Sequence, residues 1–416
     1  MKRKFAVWAV FCLVTLFFSA CSDSSNNEVP KETVHVGLET LRALANSGNH
    51  AFFGYLSRDE IGTEELREPF EVKFLNIEAL KSDPDPAANI DDLIEKKSEM
   101  IYPVHVQGKI RTSIKLALED NEYKVVSIGS LTLVNDFMEM TKRLGLTVND
   151  CFLLEIPGTE LCFVGSPEDG PFTVTPLYDN SAMGLESGMP LSLASIADAL
   201  KQYCIEEENQ YELMVPRSEA GEYEPELHTA DTEPPSSVLL NVTLYPQQQD
   251  QWCWAASGRM TMVFAGGDPD KITQCAEAND AFSQTACCSN GASTDCNIPY
   301  FPLYQNWGFD FSLNTNDDGK YLIDFPFELL KQELSKEHPI AFLWRWASSG
   351  GHYQVAIGYS EDTSKDPPDQ FVNILNPWPV GVGDTVTIPY SIWLKGSSDT
   401  IADHELRAAF YDIKKN

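Results

Sequence analysis

A cysteine, a histidine and an asparagine stand along this chain in an order that suits nucleophilic catalysis. Cys253 lies within Gln247-Gln248-Gln249-Asp250-Gln251-Trp252-Cys253-Trp254-Ala255-Ala256-Ser257. Pro246 and the polar run that follows favour an extended or turning approach. From Trp254 to Ala265 small and apolar positions recur without proline, which predicts a helix. Cys253 then sits at a helix N-terminus. Free N–H groups and the positive end of the helix dipole stabilise a thiolate there, so the thiol pKa falls and reactivity rises. Gln247, six residues upstream, can return its side-chain amide to the same point in space as an oxyanion donor.

The partners follow in a workable order. His352 stands in Gly350-Gly351-His352-Tyr353-Gln354-Val355-Ala356-Ile357-Gly358-Tyr359. The glycines permit close backbone approach, and the alternation after them predicts a buried strand with the histidine at its head. Asn376 ends the apolar run Phe371–Leu375, and Pro377 stops that strand. Its amide oxygen can hold an imidazole in the tautomer that faces the sulfur. Singly, each residue has a bland reading: a core or disulfide cysteine, a satisfied core histidine, an Asn-Pro turn. The Gln, Cys, His, Asn series is what carries the argument.

Taken together, these residues resemble the papain-like cysteine peptidases. The likeness is closest to the bacterial C39-like branch, through Gln247, five residues, then Cys253-Trp254-Ala255-Ala256. It spans residues 238–416. It implies Gln247 as oxyanion donor, Cys253 as nucleophile, His352 as base and Asn376 as the orienting residue. Trp378, two after Asn376, is implied as an indole shielding the His–Asn contact. C39 enzymes usually place Asp-Pro where this chain has Asn376-Pro377. The implied fold is the papain layout: a helical half with the cysteine and an antiparallel β half with His and Asn. The implied activity is hydrolysis of peptide bonds in a protein or peptide, with no cofactor and no metal. A cysteine acyltransferase or amidase using the same triad is the first alternative. A non-catalytic cell-surface binding lipoprotein is the second.

The elements that position these residues belong to a longer chain of α+β character. Its 416 residues, 43% of them hydrophobic, suffice for two cores. In residues 32–215, Val34, Leu38, Leu41, Leu44 and Ala45 follow helical spacing, and Leu131–Leu144 and Leu193–Ile205 also read as helices. Phe70, Val72 and Phe74 alternate as a strand. Ile101–Val106, Ile110–Leu118 and Tyr123–Ile128 read as strands joined at Gln107-Gly108 and Asp120-Asn121. This predicts an α+β domain with an antiparallel sheet. It is either a pro-domain that inhibits the peptidase intramolecularly or a binding module. Residues 216–237, acidic and proline-bearing, read as a linker where proteases cut. Beyond the nucleophile, Phe327–Lys336 predicts a helix and Ile340–Trp346, Thr385–Ile388 and Ala408–Ile413 predict strands. His338 reads as a loop residue, and His404 lies beyond the orienting asparagine. Asn314–Gly319 reads as a polar turn, because Phe325 stands where a calcium loop needs a carboxylate.

Residues 1–21 predict a targeting signal. Lys2, Arg3 and Lys4 precede an apolar run, Phe5–Phe18, too short to span a bilayer comfortably. Phe18-Ser19-Ala20-Cys21 is similar to a bacterial lipobox, which implies lipid on Cys21; the alternative is an ordinary secretory signal cleaved nearby, with the protein secreted after processing. Residues 22–31 follow as a tether, and Ser22 after the cysteine implies the outer membrane. Export puts the cysteines in an oxidising compartment. Cys275, Cys287, Cys288 and Cys296 are then disulfide candidates, with the adjacent pair the least suited to bridge. Cys151 and Cys162 flank a hairpin around Pro157-Gly158 and are candidates to pair, which leaves Cys204 over. The net charge is −32, from 62 acidic and 30 basic residues, so nucleic acid is not an expected partner.

Overall fold

The alternating runs pair into one large sheet. The structure, a computed structural model, describes residues 29–48, 50–119, 122–166, 172–216, 233–315, 323–346, 350–396 and 404–416. The signal segment with Cys21, most of the tether, the Asp120-Asn121 turn, residues 217–232 of the linker and 316–319 of the polar turn lie outside them. Among the described residues no helix is long and apolar enough to cross a membrane.

The sheet begins with strands of the C-terminal half, in the order Phe309–Thr315, His404–Lys415, Ile340–Trp346, Gly351–Asp362, Asp369–Asn376 and Asp384–Pro389. It continues without a break into Glu122–Gly129, Lys109–Glu119, Ile94–Val106 and Phe70–Leu75. Phe152–Ile156, Leu161–Ser166, Thr173–Pro176 and Leu191–Ser192 end this path, and Glu65–Leu66 and Ser237–Leu239 pair beside it with Ile94–Val106 and Gly351–Asp362. The seam between the halves is short, with Val386 opposite Gly129 and Thr387 opposite Ile128. Gly129 has φ +126°, and a Cβ there would stand 2.5 Å from the Thr385 carbonyl oxygen, so the seam requires glycine. Just past it, Asp384 of the C-terminal half accepts from the backbone N–H groups of Thr132 and Leu133 at 3.4 and 3.3 Å. It thereby serves the N-terminal turn of the helix Leu131–Leu144 across the seam.

One pairing departs from the expected antiparallel sheet. Phe70–Leu75 and Phe152–Ile156 run parallel, with Glu71 opposite Phe152. A parallel neighbour needs a crossover, and the helix Leu131–Leu144 lies in the connection that brings the chain back to that strand. The cysteine pair expected at this hairpin is also corrected. Cys151 and Cys162 are both free and buried. Strand register sets Cys162 opposite Glu155 and Phe152 opposite Gly165, so the two thiols stand several rungs apart. Cys204 is free and buried as well.

The helix boundaries fall close to the periodic runs. The predicted 254–265 helix is Cys253–Phe264, and Leu131–Leu144 is as read. The helix expected over 193–205 continues to Gln210. Its last residues are polar, and such side chains form helix without contributing an apolar period. The helix Cys253–Phe264 is buried around most of its circumference, with Cys253 through Gly258, Met260, Thr261 and Met262 all inside. That is the pattern of a core helix rather than a surface one. The helix packs against the strand Gly351–Asp362, which brings the ends of the two elements to one place.

Candidate active site

The N-terminal turn of the core helix begins at Cys253 itself. Trp252 is its cap residue, at φ −100° and ψ 22°, and no side chain caps the turn. The N–H groups there are consequently available to the sulfur. Two indoles hold this end of the helix. Trp252 Nε1 donates to the Cys296 carbonyl at 2.8 Å and Trp254 Nε1 to that of Ile298 at 3.2 Å. The loop that accepts them is cross-linked by Cys275–Cys288 and Cys287–Cys296. The cysteine cluster is therefore two disulfides, and Cys253 is the free cysteine of this half.

His352 stands at the head of the strand Gly351–Asp362, opposite Trp344, and is 8% exposed. A Cβ on Gly351 would come within 2.9 Å of the Trp344 carbonyl oxygen, so the glycine before the histidine is needed for this close pairing. Asn376 ends the adjacent strand Asp369–Asn376. Its Oδ1 lies 2.8 Å from His352 Nε2 and also accepts from the Trp378 backbone N–H at 3.1 Å. A backbone N–H only donates, so the shared atom is the amide oxygen and Nε2 carries the ring proton. Nδ1 is then the unprotonated nitrogen, as a general base requires. What Trp378 brings to Asn376 is this backbone N–H. Its indole packs edge-to-face on Tyr178, with centroids 4.9 Å apart.

Gln247 is fully buried. Its backbone N–H donates to the Pro377 carbonyl at 2.9 Å, and its carbonyl accepts from Gly381 N at 2.8 Å. The oxyanion candidate is thus stitched to the loop that follows Asn376. Its Nε2 donates to Gln249 O at 3.1 Å, Asp250 O at 3.0 Å and Glu160 Oε1 at 2.7 Å. All four predicted residues belong to one neighbourhood. Cys253, His352 and Asn376 line a cavity of about 210 Å³, and Gln247 reaches its wall through Glu160 and Asp250.

The opposite wall of that cavity is built by the N-terminal half. Residues 157–161 of the hairpin, with Tyr203 and Glu207 from the helix Leu193–Gln210, face Asp250, Cys253 and His352. Glu160 and Glu207 were not legible as site residues. Neither stands in a motif, and only tertiary packing brings them to the cysteine. Gln251 Nε2 donates to Glu207 Oε1 at 2.7 Å.

Burial governs the electrostatics here. It pushes the Cys253 thiol up to about 12, with Glu160 and Glu207 adding to it, while the N–H groups of Tyr353 and Trp254 act the other way. It pulls His352 down to about 4, against the bond to Asn376. The expected low-pKa thiolate is therefore not the form favoured in this cavity. The helix N-terminus acts in the expected direction, and desolvation outweighs it. Burial also raises Glu207 to about 7 and Glu160 well above the usual carboxylate range, Asp250 reinforcing both.

The other histidines do different work. His338 follows the helix Phe327–Ser335, and its Nδ1 meets Glu333 Oε2 at 3.0 Å and Asp412 Oδ1 at 3.1 Å. Both carboxylates meet one nitrogen, and Lys336 and Lys414 pair with them in turn, so the group is an ion-pair network. His404 is buried, with Nε2 2.8 Å from the Ile392 carbonyl and its ring on Trp344.

Residues 236–385 match the model of the peptidase C70 family, described as papain-like cysteine protease AvrRpt2. The protein is a cysteine-type peptidase. The matched span takes in Gln247, Cys253, His352 and Asn376 and stops one residue after Asp384. It supports a papain-like peptidase, whose substrates are proteins or peptides, without choosing the C39-like branch. No curated protein matches the chain.

Proposed function

We propose that this peptidase is an exported, lipid-anchored enzyme that cleaves peptide bonds through Cys253, His352 and Asn376, with Gln247 as oxyanion donor. The observation that carries the reading is the 2.8 Å contact of His352 Nε2 with Asn376 Oδ1 on the cavity that Cys253 lines. It leaves Nδ1 as the proton acceptor. In turnover Nδ1 takes the thiol proton and the sulfur attacks the substrate carbonyl carbon. Gln247 Nε2 and the Cys253 backbone N–H hold the resulting oxyanion. The imidazolium then gives its proton to the leaving amine as the C–N bond breaks. Water, deprotonated by the same nitrogen, hydrolyses the thioester and restores the thiol.

The placement in the C39-like branch rests on the Gln247, Cys253-Trp254-Ala255-Ala256 spacing. Export and anchoring rest on the basic-apolar start and the lipobox-like Cys21. The two disulfides agree with an oxidising compartment. The division into residues 32–215 and 238–416 is supported by the short seam in the sheet.

The test is a peptide digest read by mass. Hydrolysis adds water to each product pair, whereas acyl transfer adds an amine. Cys253→Ala should abolish the products, and an unchanged rate in that variant would falsify the assignment.

A further inference from the structure

We propose that the hairpin tip at residues 157–160 is an autoinhibitory latch, in which the Glu160 carboxyl group occupies the oxyanion donor Gln247 and competes with the carbonyl of a peptide substrate. The inference rests on the peptidase reading above.

The tip joins the strands Phe152–Ile156 and Leu161–Ser166, with Ile156 opposite Leu161. The hairpin is held by the N-terminal half through the pairing of Glu71 with Phe152. Its end projects into the cavity that Cys253 lines. There one atom, Glu160 Oε1, stands 2.7 Å from Gln247 Nε2 and 3.9 Å from His352 Nδ1. A negatively charged oxygen formed on attack by Cys253 needs the same donor and lies beside the same imidazole. The carboxylate of a cleaved peptide would make the same two approaches, so Glu160 occupies the site as a product would. The two Nε2 hydrogens of Gln247 already face Glu160 and the carbonyls of Gln249 and Asp250. No donor remains for a substrate until Glu160 withdraws.

The surroundings favour withdrawal once a competitor arrives. Burial, with Asp250 and Glu207 adding to it, disfavours the charged form of Glu160. Lys115, which also lines the cavity, is engaged by Glu99 at 3.1 Å and by Glu155 at 3.6 Å. Glu160 thus has the neutral Gln247 amide as its close hydrogen-bond donor, and the titratable groups near it include the buried His352, Tyr203 and Cys162. The bond to Gln247 is thus made by a carboxyl whose charged form the site disfavours, and a peptide carbonyl can displace it. The same carboxylate opposes ionisation of Cys253, so the tip suppresses both the nucleophile and the oxyanion site.

The experiment uses the full chain and a peptidyl aldehyde, whose adduct with Cys253 places an oxyanion-like oxygen on Gln247. Glu160→Ala should tighten aldehyde inhibition by about 2- to 10-fold, the range spanned by one net hydrogen bond. Iodoacetamide labelling and a melting curve on the same variant report that the thiol and fold persist. Equal or weaker aldehyde binding in a folded variant overturns the latch. A second measurement needs no substitution. In the unaltered protein, hydrogen exchange at residues 157–161 should speed up when the aldehyde saturates Cys253, and unchanged protection also overturns the latch. If the aldehyde adds to Cys253 in neither protein, the peptidase reading itself fails and the latch falls with it.

Discussion

Asn376→Ala should lower kcat/KM by about 10- to 100-fold while leaving Cys253 and the fold in place. The figure follows from what the Asn376 oxygen does. It accepts from His352 Nε2 at 2.8 Å and from the Trp378 backbone N–H at 3.1 Å. His352 is 8% exposed, so the loss of that oxygen leaves a buried ring N–H without its partner. Such a group costs about 1–3 kcal/mol. At about 1.36 kcal/mol per tenfold change, that spans the stated range. The loss appears in catalysis because the ring can then turn or change tautomer, and either removes the bare Nδ1 from its task. The assay is peptide hydrolysis across pH, with Asn376→Asp as the companion variant. Asp keeps the acceptor and adds a negative charge beside the ring. The His352 pKa, held at about 4 by burial, should rise, and the acidic limb of the rate profile should move to higher pH with it. Asn376→Ala working at the parental rate across the range would refute the reasoning. So would Asn376→Asp with an unmoved limb.

Two further outcomes follow from groups beside the triad. Gln247→Ala should lower kcat by about 10²- to 10³-fold, the usual effect of losing one oxyanion donor. A rise confined to KM would instead make Gln247 a substrate-binding residue. Asp384→Asn should flatten the dependence of stability on pH. Burial raises the Asp384 carboxyl from 3.8 to about 6. This contributes stability that is fully present below about pH 4 and lost as pH rises through about 6. At 1.36 kcal/mol per pH unit the difference is about 3 kcal/mol, which urea midpoints at pH 4 and pH 7 would read. Identical pH slopes for parent and variant would sink it.

The catalytic half was legible because its chemistry and its periodicity agree. Val355, Ile357 and Tyr359 alternate with Ala356 and Gly358, and the strand they write sets His352 at its first turn of register. Pro377 ends the next strand where Asn376 must stand. The helix that begins at Cys253 is small-residue and apolar nearly throughout, so its burial could be read from composition. The N-terminal half was legible strand by strand and illegible as an arrangement. The runs at 94–106, 109–119 and 122–129 are local hairpins, which short-range turn signals specify. The parallel pairing of Phe70–Leu75 with Phe152–Ile156 joins residues about eighty positions apart, and no local pattern encodes that register. Glu160 shares this fate. In the sequence it is one of 62 acidic residues on a polar turn, and its position against Gln247 exists only after the halves share a sheet.

The thiol of Cys253 shows why a motif alone leaves the reactivity of a site open. Its place at a helix N-terminus argues for a depressed pKa, and the Trp254 and Tyr353 N–H groups do act in that direction. Two features reverse the balance: Cys253 is 4% exposed, and the acidic Glu160 and Glu207 of the other half act against its ionisation. Both have one structural origin, since the tip carrying Glu160 and the helix carrying Glu207 close the cavity over the cysteine. Withdrawal of the tip would admit water and take an acidic group away from the sulfur together, and each change favours the thiolate. The dipole and N–H groups built into the helix would then prevail without any change in the catalytic half. On the latch proposal, reactivity in this chain is a property of the joined halves, with the nucleophile's own element supplying a bias that the covering hairpin opposes.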